Sequence, residues 1–344
     1  MDRVSVPFNA WPSTERETWL LRTTVSNRLG ERKKSRRSPR TFLKYQQGYA
    51  CWLGFLDRRG LLDPSQAPGD RVTKDRLVEY FDEQHARDCA DFTIYGRFCE
   101  LRAALRILAP DTDWDWVVRP YGVSVYSVLP MQTRALLVPA AEELYVWVFK
   151  LMDGAQTSTC RTDQLLQYRD GLFMAIAISC GRRLRALSCL RIDRELIRQE
   201  NGYRVEIPPE LDKTRRFDGF WLPQALTEYV DKYIGVVRPA LLKGKSFDEL
   251  WVTNHGDRLS AKTITHRVRQ WTGQEFDEAF GPHRFKHAGV TACVLHSPDE
   301  PYMATEAFRT SDPVLHGHYI QHNVAQVRAL KAHASLLDKL RCRK

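Results

Sequence analysis

The sequence predicts a mainly α-helical protein with one small β-sheet, divided into two domains. With 344 residues, the chain is long enough to bury two hydrophobic cores. Apolar residues recur at three- and four-residue steps through most of the chain, which is typical of amphipathic helices. Residues 203–207 alternate and are rich in β-formers, which predicts a strand. Prolines and tryptophans within 110–121 interrupt the helical pattern and mark the end of the first domain.

The N-terminal residues 1–40 are predicted to be an appendage to the first domain. A short helix is expected over residues 13–24, followed by a run rich in arginine and lysine over residues 28–40. A run of this kind fits a solvated linker and an arm that contacts phosphates equally well.

Residues 41–121 are predicted to form a compact bundle of short helices. The first helix ends near Gly60, the second follows Thr73, and the third covers residues 93–108. The apolar positions of the first helix share one face: Phe42, Tyr45, Tyr49, Trp52, Leu53 and Leu56. A basic face of such a bundle suits a DNA groove.

The second domain is predicted to surround an apolar helix with further helices and a β-hairpin. Residues 122–131 form a hinge before a long helix over 132–152, and residues 163–180 form the apolar helix. The strand at 203–207 is expected to pair with a return strand at 220–222, with Lys213 between them. Further helices are expected at about 224–242, 260–272, 284–295, 302–308 and 322–340.

Composition and charge narrow the possible functions. The net charge is +10 and the pI is about 9.2, which favours a polyanionic partner, with nucleic acid ahead of an anionic membrane surface. No apolar run approaches the roughly 20 residues of a membrane span, and no apolar signal core follows Asp2 and Arg3, so we expect a cytoplasmic protein. The eight cysteines include no C-x-x-C pair, which predicts reduced thiols with neither zinc nor disulfides. No Walker loop or dinucleotide fingerprint occurs, and no cofactor is expected.

Three short motifs carry the candidate chemistry. They are Gly181-Arg182-Arg183, then Pro282-His283-Arg284-Phe285-Lys286-His287, then Leu315-His316-Gly317-His318-Tyr319. His283 comes 100 residues after Arg183, and Tyr319 comes 36 residues after His283. A phenolic oxygen can attack a phosphorus atom while cationic donors hold the phosphate oxygens. The order of these groups resembles that of the tyrosine recombinase, or phage integrase, family.

The resemblance spans residues 41–340 and implies both a fold and an activity. It implies a helical core-binding (SAM-like) domain at 41–121, a linker at 122–131, and an α+β catalytic domain at 132–344 that ends in a C-terminal helix. It also implies a site-specific recombinase, of the kind found in mobile genetic elements, that cuts and rejoins DNA through a 3′-phosphotyrosine. The implied partners are double-stranded DNA and other subunits, either a homotetramer on two DNA sites or related recombinases. The implied location is the cytoplasm, in association with the nucleoid.

The resemblance also assigns roles to individual residues. Arg183 would hold phosphate oxygens, since its planar fork suits a bidentate contact. Lys213 would protonate the leaving 5′-oxygen. His283 and Lys286 would lie on one face at a helix start, where free N–H groups favour a phosphate. Tyr319 would be the nucleophile, with an unperturbed pKa near 10.

Three residues depart from the family pattern. Ala186 stands where the family has an acid, Lys286 where it has an arginine, and Thr310 where it has a histidine or tryptophan. Losing one transition-state donor costs about a hundredfold or more in rate. The alternative is therefore a DNA-binding or architectural protein with weakened chemistry. Type IB topoisomerases share the chemistry, but the helical N-terminal domain favours a recombinase.

The predicted C-terminal helix carries an apolar stripe. Its members are Val324, Val327, Leu330, Leu336, Leu337 and Leu340. Docking on a neighbouring subunit and packing within the same domain both explain this stripe.

Overall fold

The computed structural model describes residues 3–24, 38–131, 139–157, 160–213, 215–296, 305 and 307–309. The chain divides into two compact units, Met1–Ala135 and Leu136–Lys344. No helix in the described ranges is both long enough and apolar enough to cross a membrane.

The first unit is a bundle of helices, as the apolar periodicity predicts. Its helices are α1 (Ser13–Thr23), α2 (Pro39–Arg58), α3 (Lys74–Ala86), α4 (Asp91–Leu108) and the short α5 (Val125–Val128). Helix α2 begins where the Ser38 hydroxyl accepts a hydrogen bond from the backbone N–H of Thr41, and α3 begins with the same arrangement at Thr73. Turns of 3-10 helix at Asp115–Val118 and Pro120–Gly122 follow α4, in the segment predicted to interrupt the helical pattern.

Large aromatic side chains form the core of this unit. Tyr49, Trp52, Phe55, Tyr80 and Phe98 are fully buried. The rings of Trp52 and Tyr80 meet edge to face with centroids 5.2 Å apart. Edge-to-face contacts favour the aromatic quadrupoles and add to the free energy gained by burial.

The N-terminal segment is part of this core, so the predicted appendage is wrong for residues 3–24. Trp11 and Trp19 are buried, and the Trp11 ring lies 4.9 Å from that of Tyr49. The backbone N–H of Val6 donates to the carbonyl of Ala50. Burial of two indoles outweighs the polar character that suggested an appendage. The basic run is outside the described residues except for positions 38–40, which belong to the start of α2.

A buried ion pair fastens α1 to the bundle. Glu15 and Arg71 are fully buried and their side chains contact each other. The Tyr49 hydroxyl donates to Glu15 Oε2 at 2.7 Å, and Arg71 Nη2 donates to the carbonyl of Gln66 at 3.2 Å. Removing either partner would leave a buried charge without its counter-charge.

We expect Glu15→Gln to lower the free energy of unfolding of the first unit by about 3–5 kcal/mol, because Arg71 remains buried and unpaired. Asp115→Asn is the matched control. Asp115 pairs with Arg106 on an exposed surface, where an ion pair contributes about 1 kcal/mol or less. Urea unfolding measures both variants, and equal losses would contradict the role of the buried pair.

The second unit contains seven α-helices in its described part. They are α6 (Ala141–Asp153), α7 (Arg161–Cys180), α8 (Leu184–Ser188), α9 (Thr227–Lys232), α10 (Arg238–Leu242), α11 (Ala261–Glu275) and α12 (His283–His296). A π-helical turn at Tyr233–Val237 joins α9 to α10. Residues 227–242 are therefore helical throughout, within the helix predicted at 224–242. The described residues of the predicted helix at 302–308 are helical at 305, 307 and 308, and the predicted helix at 322–340 lies beyond them.

One predicted boundary in this unit is wrong. The helix predicted over 132–152 begins at Ala141, after Ala140 with an extended backbone at ψ 148°. Pro139 has no N–H to donate to a helical carbonyl, which favours a start beyond it. Residues 132–138 are not among those described.

The sheet is antiparallel with strand order β1-β2-β3. Its strands are β1 (Leu196–Gln199), β2 (Gly202–Ile207) and β3 (Asp218–Trp221). Val205 lies opposite Leu196 on one side and Phe220 on the other. The hairpin of β2 and β3 confirms the prediction, whereas β1 was missed because its four residues are too short for a periodic signal.

Helix α7 is the centre of the second core. Tyr168 and most of the residues after it, up to Cys180, are buried, and the helix packs against α6 and α12. Residues 171–178 are apolar on every side, which is typical of a protein interior, and Arg169 and Asp170 before them form a buried ion pair. The C-terminal end of α7 therefore emerges from the middle of the unit.

Candidate functional site

A pocket lies at the C-terminal end of α7. Residues from four separate parts of the chain line it: Gly181, Arg182, Arg183, Ala186, Ile207, Asp212, Asp218, Lys286, Phe308 and Arg309. Its walls are thus the α7–α8 turn, the β2–β3 hairpin, α12 and residues 308–309. The structure brings together two of the predicted site residues here, Arg183 and Lys286.

Gly181 ends α7 and makes the turn that precedes the two arginines. It has a left-handed backbone with φ 55°. A Cβ atom at this position would lie 2.2 Å from Cδ1 of Phe308. Both the turn and the close approach of Phe308 therefore require glycine.

Arg182 is a structural residue. Its side chain is 9% exposed, and its guanidinium contacts both carboxylate oxygens of Asp218, with Nε 2.5 Å from Oδ2 and Nη2 3.1 Å from Oδ1. It lies 4.6 Å from the ring centroid of Phe220 and also donates to the carbonyl of Ala307. These contacts tie the hairpin and residue 307 to the end of α7.

The side chain of Arg183 is exposed, whereas that of Arg182 is largely buried. The Arg183 side chain is 46% exposed, and Nη1 donates to Asp212 Oδ1 at 3.1 Å. Its backbone precedes α8 in an extended conformation, which turns the side chain away from α7. The guanidinium is consequently within reach of a ligand at the pocket mouth.

Lys286 enters the pocket from the first turn of α12 and is 7% exposed. Burial, followed by the positive charges of Arg183 and Arg182, lowers its pKa from 10.5 to about 8. Asp212 and Cys180 oppose this shift. The ammonium is therefore mostly protonated at neutral pH but close to its titration range.

His283 and Lys213 lie near the pocket without lining it in the described structure. His283 is exposed at the first residue of α12, with its ring 5.1 Å from that of His287. Lys213 is exposed on the β2–β3 loop, directly after Asp212. In the first turn of α12 the backbone N–H groups of Arg284 and Phe285 donate to the carbonyls of Gly281 and Pro282.

Thr310 and Tyr319 lie beyond the described residues, and so do His316 and His318. The described chain ends beside the pocket. Arg309 Nη1 donates to the carbonyl of Phe217 at 3.1 Å, and its Nε lies 3.5 Å from Asp218 Oδ1.

Sequence reasoning missed Asp212, Asp218, Phe308 and Arg309. Asp212 had a signal, because it directly precedes the predicted Lys213. Asp218 begins a strand and had none, since its partner Arg182 is 36 residues away.

The curated proteins with similar sequences are tyrosine recombinases. No family model matches the chain. The chain is 26% identical over 140 residues to tyrosine recombinase XerD of Proteus mirabilis, which covers 40% of this chain and 42% of that protein. It is 26% identical over 157 residues to tyrosine recombinase XerC of Pseudomonas savastanoi pv. phaseolicola, covering 44% and 46%. The chain thus spans less than half the length of these curated relatives.

Solved structures match over nearly the whole chain. The XerH site-specific recombinase bound to palindromic difH substrate, in a post-cleavage complex, superposes with a TM-score of 0.58 at 12% identity, covering 94% of this chain and 95% of that one. The Tn1549 transposon integrase in complex with transposon right end DNA gives 0.55 at 15% identity, covering 87% and 95%. The chain has the tyrosine recombinase fold. The family resemblance and the fold class predicted from the sequence are confirmed.

Within this recombinase fold, Lys286 should affect stability through its charge. We expect Lys286→Met to raise Tm by about 2–4 °C for each kcal/mol of burial cost removed. The gain should be full below pH 8, where wild-type Lys286 is charged both folded and unfolded. It should shrink between pH 8 and 10.5, because the folded protein then releases the proton before the unfolded chain does.

Thermal unfolding across pH 6–11 checks this prediction, with Lys213→Met as the control. Lys213 is exposed, so its replacement removes no burial cost. A gain for Lys286→Met that stays constant with pH would contradict the role of its charge.

Proposed function

We propose that the protein is a site-specific DNA recombinase that cuts and rejoins strands through a 3′-phosphotyrosine. The observation that carries this proposal is the pocket itself. Arg183 and Lys286 share it, 103 positions apart in sequence, beside the hairpin loop that carries Lys213.

The pocket has the charge that a phosphodiester needs. Four cationic side chains, Arg182, Arg183, Lys286 and Arg309, line it together with the two carboxylates of Asp212 and Asp218. The excess of positive charge matches the single negative charge of a phosphodiester and the further charge of its transition state. Because Lys286 is buried, its interaction with such a charge is screened less than at an exposed site.

The proposed reaction proceeds in two steps, cleavage and rejoining. Tyr319 Oη attacks the scissile phosphorus and loses its proton, with His283 as the base. The P–O5′ bond breaks, and Lys213 gives its proton to the leaving 5′-oxygen. A 5′-hydroxyl of another strand then attacks the phosphotyrosine and gives its proton to Lys213, while His283 returns a proton to the departing phenolic oxygen, so the phosphodiester bond is conserved.

Arg183 and Lys286 would hold the non-bridging oxygens through both steps. Thr310 would add a hydroxyl donor, which is weaker than the family's histidine or tryptophan. In the sequence, Thr310 directly follows Arg309, which lines the pocket.

The domains and partners follow from the same proposal. We assign the first unit, including residues 41–121, to DNA binding and residues 132–344 to catalysis, with residues 122–131, whose α5 packs in the first unit, leading from one to the other. Double-stranded DNA is the substrate, and further subunits are the partners, with a tetramer on two sites as the working assembly. Association with the nucleoid in the cytoplasm is part of the proposal. The lambda integrase dimer bound to a COC′ core site, with a TM-score of 0.50 and 16% identity over 86% of this chain and 90% of that one, supports DNA and oligomeric partners.

A nicked suicide DNA substrate tests the chemistry. We expect the wild-type protein to accumulate a covalent adduct, because the 5′-fragment diffuses away and religation fails. Tyr319→Phe removes only the attacking oxygen and should bind DNA normally without forming the adduct. Tyr302→Phe is the matched control and should form it.

Gel analysis and mass spectrometry of the DNA-linked peptide give the readout. An adduct in Tyr319→Phe would identify another nucleophile. A wild-type protein that assembles on its DNA but never reacts would favour the architectural alternative.

DNA affinity should depend steeply on salt. The slope of log affinity against log salt is about −0.9 for each phosphate neutralised. Replacing the arginines and lysines within 28–37 by glutamine should make this slope shallower, whereas replacing the arginines by lysine should preserve it. Fluorescence anisotropy measures both, and an unchanged slope in the glutamine variant would make the segment a linker.

A further inference from the structure

We propose that Asp212 is the positioning residue that orients Arg183 for phosphate contact. This inference rests on the proposed recombinase function and adds a residue to its site. Asp212 lies in the loop between β2 and β3, so the assignment joins the hairpin to the α7–α8 turn.

The contact between the two side chains supports this role. Arg183 Nη1 donates to Asp212 Oδ1 at 3.1 Å, and the Asp212 side chain is 14% exposed against 46% for Arg183. The carboxylate is thus the sheltered partner and the guanidinium the accessible one. An arginine has many rotamers, and an ion pair with a sheltered acid reduces the number it populates.

The other groups in the pocket are unsuited to this role. Asp218, the other carboxylate, is held by Arg182 and lies near Arg309. Ala186 lies on the pocket wall three residues after Arg183, at a spacing that would let an acid reach it, but it has no polar side-chain atom. Asp212 supplies from the hairpin the acid that α8 lacks.

The ion pair leaves Arg183 able to bind a phosphate. A guanidinium has five N–H donors, and the bond to Asp212 uses Nη1 alone. The remaining donors of Arg183 can therefore bind a phosphate while Nη1 contacts Asp212. The contact thus orients Arg183 and does not block it.

The same contact fixes the loop that carries Lys213. Within the loop, the carbonyl of Asp212 accepts from the N–H of Arg215 at 3.2 Å, and that of Pro208 accepts from the N–H of Leu211 at 3.0 Å. Since Lys213 is the next residue, the position of its backbone follows that of Asp212. One carboxylate thus links the phosphate-binding arginine to the proposed acid.

The experiment measures adduct formation on the suicide substrate for a series of variants. Asp212→Asn keeps the shape but loses the charge, and we expect the rate of adduct formation to fall about 10- to 100-fold. DNA affinity should stay the same or rise, because a negative charge near the phosphate is removed. Asp212→Glu should retain most of the rate, and Glu210→Gln, an exposed carboxylate in the same loop, should change nothing.

A second-site rescue separates positioning from general destabilisation. Adding Ala186→Asp to Asp212→Asn places an acid three residues after Arg183, and we expect it to recover part of the lost rate. Thermal unfolding confirms that each variant is folded. An unchanged or faster rate in Asp212→Asn would overturn the proposal, and so would equal losses in Asp212→Asn and Asp212→Glu.

A titration without DNA distinguishes failure of this inference from failure of the proposed function. Burial, then Arg183 and Arg182, lower the pKa of Lys286, while Asp212 raises it. In Asp212→Asn the pKa of Lys286, followed by NMR of its ε-carbon, should fall below that of the wild-type protein. An unchanged pKa would contradict the geometry even if the wild-type protein forms no adduct. A lowered pKa with no wild-type adduct would instead count against the recombinase.

Discussion

The close packing of Phe308 against two glycines is the constraint on which the pocket depends. A Cβ at Gly181 would meet this ring at 2.2 Å, and a Cβ at Gly289 would meet it at 2.6 Å. The ring is buried between the end of α7 and the middle of α12. Residues 307–309 can therefore lie beside Arg182 and Lys286 only because neither glycine has a side chain.

The two adjacent arginines at the end of α7 have different roles. Arg182 is held on Asp218 and Phe220 and organises the pocket wall, whereas Arg183 contacts Asp212 and is open to solvent. The difference depends on the turn at Gly181, because consecutive side chains leave it in different directions. A buried pair of this kind contributes geometry more than free energy, since desolvation offsets much of its attraction.

Much of the fold followed from periodicity, and the remainder depended on distant contacts. Helices α3 and α7 were predictable because the Thr73 cap of α3 and the apolar run of α7 are local signals. The packing of residues 3–24 was not, because Glu15 is separated from Arg71 by more than fifty residues. Arg183 and Lys286 were predicted from motif order, whereas Asp212 and Asp218 are defined by arginine partners 29 and 36 residues away.

The packing of residues 3–24 into the first unit also has a consequence for folding during synthesis. Residues 3–24 leave the ribosome before the residues they contact, which include Ala50, Arg71 and Ile107, whose carbonyl accepts from Arg22 at 2.5 Å. Trp11 and Trp19 therefore have no complete surface to cover them until α4 has emerged. At about 5–20 residues per second, roughly a hundred residues take on the order of 5–20 s. During that interval the two indoles lack part of their cover, and the segment that closes the first unit is made before the helices it packs against but buried only after them.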